Sequence, residues 1–168
     1  MTAPFFADAF RHHVWATEVL IDACLALPQH QLDAPAPGTY GSILDTFRHL
    51  VQSDAWYLGF FRAETPGIDD DAQLSLAELR AVMGTNGTSW AEVLREEDDP
   101  DRDVVEIDGG WEFHSPVGFR LAQVIQHGTD HRSQICTALT SFGVAPPGIE
   151  LWQYGEATGR TRAVPATA

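Results

Sequence analysis

Apolar residues recur at three- and four-residue intervals through four stretches of the chain, the spacing that turns one face of a helix toward a core. The first stretch runs from about Phe5 to Leu27. Phe6, Phe10, Val14, Leu20, Ile21, Cys24 and Leu27 share its apolar face, and Pro28 stops it. The second follows the loop DAPAPGTYGS and covers about Ser42 to Phe61, ending before Pro66. The third opens on SLAE, where Ser75 and Glu78 form a capping box. It then meets GTNGTS, a poor helical sequence, before TSWAEVLRE resumes the pattern. Periodicity alone leaves one helix or two short ones open. The fourth starts at Ser115-Pro116, a cap followed by a proline suited to the first helical position. It runs to Phe142, with Gly143 as its stop. Ahead of it, DVVEIDGGWEFHS sets two short alternating runs around Asp108-Gly109-Gly110, which reads as a β-hairpin. Four helices on short links predict an all-α four-helix bundle with a small hairpin before the last helix. Of the C-terminal residues, GIELWQYG is expected to pack on the bundle and GRTRAVPATA to fray. The expected organisation is one bundle domain over 1–155 and a tail over 156–168.

The chain has 168 residues, 44% of them hydrophobic and 20% charged, enough for the core of one domain. Its formal net charge of −14 changes the range of partners. With no basic stripe to displace counterions, nucleic acid is not an expected partner, and anionic lipid is disfavoured too. No apolar run is long enough for a membrane span, and MTAPFFADAFRHH lacks the basic start and apolar run of a secretory signal. The two cysteines, Cys24 and Cys136, form neither a CxxC pair nor a disulfide framework. That suits a cytoplasmic location, with both as small buried apolar residues. A small-molecule substrate remains the expected partner.

Chemistry enters through the histidines. On the fourth helix the apolar seam is Val117, Leu121, Val124, Gly128, His131, Ile135, Ala138 and Phe142. His131 lies on this seam, and His127 lies at its edge, about 40° away, with Gln123 and Gln134. Gly128 on the seam would let a neighbouring helix come close. On the second helix His49 sits at the margin of the apolar face beside Asp45, Ser53 and Trp56. Asp54 points near the middle of that face, so its carboxylate should be paired or hydrogen-bonded. Histidines at a core margin are often only boundary residues. Three of them on two helices also match the way bundles build metal sites. His12 and His13 on the first helix suit either a site or the surface, and His30 and His114 lie in or beside loops.

The stretches YGSILDTFRHLVQSDAWYL and QVIQHGTDHRSQICTALTSFG resemble the DinB-like superfamily, four-helix proteins with a three-histidine metal site. HRSQ is similar to that family's HRGQ pattern, with Ser133 in place of the glycine. HHVWATEVLIDACLALP, the hairpin and VAPPGIELWQYG also fit, so the resemblance spans about Phe6 to Gly155. It implies His49, His127 and His131 as ligands of a divalent metal, zinc or nickel, and a third helix continuous through GTNGTS. It implies a thiol-dependent S-transferase using a low-molecular-weight thiol such as mycothiol or bacillithiol, and a homodimer. Three imidazoles leave coordination positions open, and a metal there lowers the pKa of a water or thiol. Asp54, Asp45, Asp130 and Gln134 are candidates for orienting the ligand rings. Gly128 stands where a metalloprotease HExxH motif carries its glutamate, which disfavours a peptidase. A metal-assisted hydrolase and a non-catalytic metal or small-molecule binding protein are the alternative readings.

Overall fold

A computed structural model describes residues 3–62 and 72–166. Four long helices, α1 (Ala3–Cys24), α3 (Ile43–Leu58), α4 (Leu76–Glu96) and α5 (Val117–Ser141), build the bundle. Two short ones, α2 (Gln29–Leu32) and α6 (Leu151–Ala157), and one hairpin, β1 (Asp103–Asp108) with β2 (Trp111–Pro116), complete it. None of the described helices is long and apolar enough to cross a membrane.

Helix α1 ends three residues before Leu27, because the residue preceding a proline avoids helical geometry. Pro28 then starts α2, whose four residues are too few to show as periodicity. Helix α3 begins one residue inside Ser42, in a capping box. The Ser42 hydroxyl accepts from the Asp45 amide at 3.1 Å, and Asp45 Oδ2 accepts from the Ser42 amide at 3.3 Å. The helix closes at Leu58, followed by a turn to Phe61; Pro66 lies outside the described residues. Helix α4 has the expected Ser75–Glu78 box and runs unbroken through GTNGTS.

Each glycine inside α4 costs about 1 kcal/mol of helix propensity relative to alanine. Packing against α1 offsets this. A Cβ on Gly87 would lie 3.0 Å from Val14, so the missing side chain lets the two helices close up. The Thr85 and Thr88 hydroxyls turn back onto the carbonyls of Ala81 and Gly84. Buried Asn86 donates to the Val51 carbonyl of α3.

The hairpin pairs Val104 with Ser115 and Asp108 with Trp111 around Gly109 and Gly110, whose φ values of 55° and 83° require glycine-like freedom. The expected helix start at Ser115-Pro116 is displaced. Both residues finish β2, Pro116 is the residue before α5, and Val117 is the first helical one. Ser115 does not cap the helix; its hydroxyl accepts from Arg120 Nε at 2.8 Å. The first amides of α5 find backbone instead, Val117 on the Arg102 carbonyl and Gly118 on that of Pro100. At the other end Gly143, with φ 74°, turns the chain. Its amide and that of Val144 reach the carbonyls of Thr140 and Leu139, satisfying the last turn.

In α6 only Tyr154 and Gly155 are buried, with Tyr154 edge-on to Trp15 of α1, while Leu151 and Trp152 face solvent. The chain beyond stays fastened through Thr161: its amide bonds the Gly155 carbonyl at 3.1 Å, and Arg160 pairs with Asp8. The first residues of the stretch expected to fray, through Thr161, are thus held to the domain.

The core falls into two apolar halves. One gathers Leu20, Ile21, Phe47, Leu50, Met83, Ile135 and Leu139; the other gathers Phe10, Leu58, Trp90, Val117, Leu121 and Val124. Every long helix also contributes a buried polar residue: His13 and Thr17, Asp54, Asn86, and Arg132.

Candidate metal centre

Helices α3 and α5 lie against each other, and their facing edges carry the three histidines. His127 and His131 are one turn apart on α5, and His49 reaches them from α3. The ring centroids are 5.0 Å apart for His49–His127, 4.7 Å for His49–His131 and 4.4 Å for His127–His131. One nitrogen from each ring falls within 4.8 Å of the other two. His49 Nε2 and His127 Nε2 are 3.1 Å apart. Metal–nitrogen bonds of about 2.0–2.1 Å in a tetrahedron put neighbouring ligand atoms about 3.3 Å apart, so His49 and His127 already stand at coordination spacing, with a His131 nitrogen within 4.8 Å of both.

One of these rings has a fixed tautomer. The Tyr40 amide, which can only donate, bonds Gln134 Oε1 at 2.9 Å. The same oxygen lies 3.2 Å from His131 Nδ1, so Nδ1 carries the proton and Nε2 keeps its lone pair. Charge state agrees with ligand chemistry, since a metal takes neutral imidazole. Burial, reinforced by the neighbouring His131 and His49, pushes His127 down to about 4. Burial, then the proximity of His131, lowers His49. Burial lowers His131 as well, against the opposing bond to Gln134.

This has a consequence for the metal-free protein. Unfolded, His127 titrates near 6.5; folded, near 4. In that window the unfolded chain binds more protons, so stability is full above about 6.5 and falls as pH drops toward 4. Urea midpoints of metal-free protein should decline over this range, and the His127→Gln variant should decline less. An equal decline in the two proteins would refute the assignment.

A model of the DinB family matches residues 1–163. The chain belongs to the DinB family. No curated protein matches it.

Of the four residues expected to orient the ligand rings in this DinB protein, the structure brings Gln134 to a histidine and engages the carboxylates elsewhere. Asp45 closes the α3 capping box. Asp130 accepts from Gln126 on the exposed side of α5. Asp54 is buried and paired, as a carboxylate on an apolar face must be: Oδ1 meets His13 Nε2 at 2.9 Å, and the Trp90 indole N–H reaches Oδ2 at 3.0 Å. His13 is neither a surface residue nor a member of the trio. Its Nδ1 faces Arg132 Nη1 at 2.8 Å. Arginine only donates, so Nδ1 accepts and Nε2–H donates to Asp54. His12 bonds the Ile149 carbonyl and fastens the segment before α6. His114 is exposed between Asp103 and Glu112 on the hairpin, and His30 is exposed in α2.

Sequence reasoning missed Tyr40. Its ring stacks on His49 at 4.0 Å and 12°, and stands edge-on to His131. The available signal was an aromatic in the glycine-flanked loop PGTYGS directly ahead of the histidine helix. Tyr57, edge-on to His127 at 5.9 Å, borders the trio on the other side. A cleft of about 590 Å³ opens beside His49, lined by Tyr40, Arg48, Gln52, Ser53 and Trp56 among others.

Proposed function

We propose that this DinB-family protein holds a divalent ion, zinc or nickel, on His49, His127 and His131, and uses it to transfer a small-molecule thiol to an electrophile. The observation that carries the reading is the convergence of three neutral imidazoles, one nitrogen of each within 4.8 Å of the others, beside an open cleft. A bound divalent ion would lower the pKa of a thiol so that it is a nucleophile at neutral pH. The protein's own part is placement. Gln134 fixes the His131 tautomer, the rings of Tyr40 and Tyr57 pack against His49 and His127, and the cleft seats the reactant. The thiol is external, because burial pushes Cys24 up to about 12 and raises Cys136, leaving neither as a thiolate at neutral pH. Hydrolysis is the weaker reading. A general base is wanted near a water, yet Asp54 is buried among its own partners and Asp130 lies on the exposed side of α5, which leaves only Asp45, on the cleft wall with one oxygen in the helix cap.

Metal analysis and one pair of assays test this. Purified protein should retain about one zinc or nickel ion per chain, and His49→Ala combined with His127→Ala should retain essentially none. Metal-loaded protein should accelerate consumption of monobromobimane only when a thiol such as mycothiol or bacillithiol is supplied. Equal metal in both proteins removes the site. Turnover of nitrophenyl acetate without thiol would favour the hydrolase, and inactivity in both assays a binding protein.

A further inference from the structure

We infer that the cleft beside the three histidines is a subsite for a carboxylate carried on a planar apolar body, with the Arg48 guanidinium as its anchor. This deepens the metal-site reading and rests on it for its chemical purpose, although the carboxylate contact itself needs no metal.

The inference begins from charge. The sequence has 24 acidic residues and ten cationic ones, all of them arginine. Among the described residues, nearly every arginine is spent on a partner. Arg11, Arg62, Arg80, Arg95, Arg102, Arg120 and Arg160 each have a carboxylate oxygen within 3.5 Å, and Arg132 is buried against His13. Arg48 differs. Among the described residues its nearest carboxylate, Asp45 Oδ1 on the same cleft wall, is 3.7 Å away, beyond hydrogen-bond reach, and the other oxygen of Asp45 is held by the Ser42 cap.

Arg48 is not loose. Its Nε donates to the Leu74 carbonyl at 3.0 Å, and the side chain is only 18% exposed. That bond holds the guanidinium of a residue that lines the cleft, and leaves its two terminal nitrogens without a hydrogen-bond acceptor among the described residues. A guanidinium fork matches the two oxygens of a carboxylate. In an acidic chain with few cations, a fixed and nearly unpaired arginine inside a cleft points to an anion that arrives from outside.

The rest of the cleft suits the body of such a molecule. Tyr40 and Trp56 are 58% and 46% exposed, and both line it. Trp56 lies seven residues after His49, about two turns along the same face of α3. Arg48 and His49 both line the cleft, so an anion held there keeps its carrier beside the trio. The volume of about 590 Å³ fits a small molecule.

Benzoate and benzamide, matched in shape and different in charge, are suitable probes. Each is titrated into isotope-labelled full-length protein, metal-loaded and chelator-stripped, while the Trp56 indole and Arg48 Nε–H signals are followed by NMR. Benzoate should bind about tenfold more tightly than benzamide in both forms, the worth of a charge-assisted hydrogen bond. Arg48→Gln should abolish the preference with metal content unchanged, and Arg48→Lys should keep part of it. Equal affinities in the wild type, or a preference that survives Arg48→Gln, would overturn the inference. So would a preference confined to the metal-loaded form, since the metal would then be holding the carboxylate. If the protein retains no metal but the Arg48-dependent preference is present, the metal reading fails and the subsite stands.

Discussion

Asp54→Ala is expected to lower the unfolding free energy by about 3–5 kcal/mol, the range for removing one member of a buried charge network. For a domain of this size that corresponds to a fall in Tm of about 10 °C. The carboxylate is 2% exposed and receives two buried donors, the His13 imidazole and the Trp90 indole. Alanine leaves both unsatisfied. It also removes the counter-charge of Arg132, which reaches Asp54 through the neutral His13 ring. Burial lowers Arg132 only to about 10, so it stays charged at neutral pH. A lone guanidinium, 3% exposed, would then be left in the core. Asp54→Asn keeps an oxygen for the indole but not the charge, and should cost less than alanine. Chemical denaturation of the three proteins measures this. A loss under about 1 kcal/mol for alanine would mean that the network relaxes or admits water.

The same polar network marks the limit of what the sequence makes legible. Helical spacing places all four long helices, and a glycine-rich turn places the hairpin. The trio is legible because His49, His127 and His131 lie at the margins of apolar faces that must meet. Asp54 shows itself as a charge where a charge is costly. Its partner does not, since nothing local to His13 indicates that α1 delivers it to α3. Arg120 and Arg132 are hidden for a related reason. Each is next to a seam residue, and each is buried only because a remote group receives it: Glu106 and the Phe60 ring for one, His13 for the other. The start of α5 reads a residue or two early because Ser115-Pro116 is a good local cap. Strand pairing with Val104 and Asp103 takes precedence there. The continuity of α4 is set by contact with α1 rather than by propensity. Gln134 is distinguished from Asp45 and Asp130 by a loop amide, that of Tyr40, which no periodicity locates.

Gly128→Ala should be destabilising, although alanine is the better helix former. On α5 in isolation the change would gain about 1 kcal/mol of propensity. In the bundle the new Cβ would lie 2.3 Å from His13 Cε1, 2.4 Å from His13 Nδ1 and 2.9 Å from Arg132 Nη1. The imidazole has no room to yield, because Asp54 holds one nitrogen and Arg132 the other. Relief requires α5 to shift away from α1, at a cost of about 2–3 kcal/mol for overpacking a filled core, which outweighs the propensity gain. The shift also reaches the metal centre. His127 precedes Gly128 directly and His131 follows within the same turn, while His49 stays on α3. Misplacing two of three rings should weaken metal affinity by about 10–100-fold, the range seen when groups supporting ligands are lost. A double-mutant cycle isolates the cause. His13→Ala removes the obstructing ring at its own cost, and adding Gly128→Ala to it should be nearly neutral. The coupling energy would then be about 1–2 kcal/mol, within the range for residues in contact. If Gly128→Ala alone raises Tm and leaves metal affinity intact, His13 is not fixed between its partners, and the close approach of α1 to the histidine helix plays no part in forming the site.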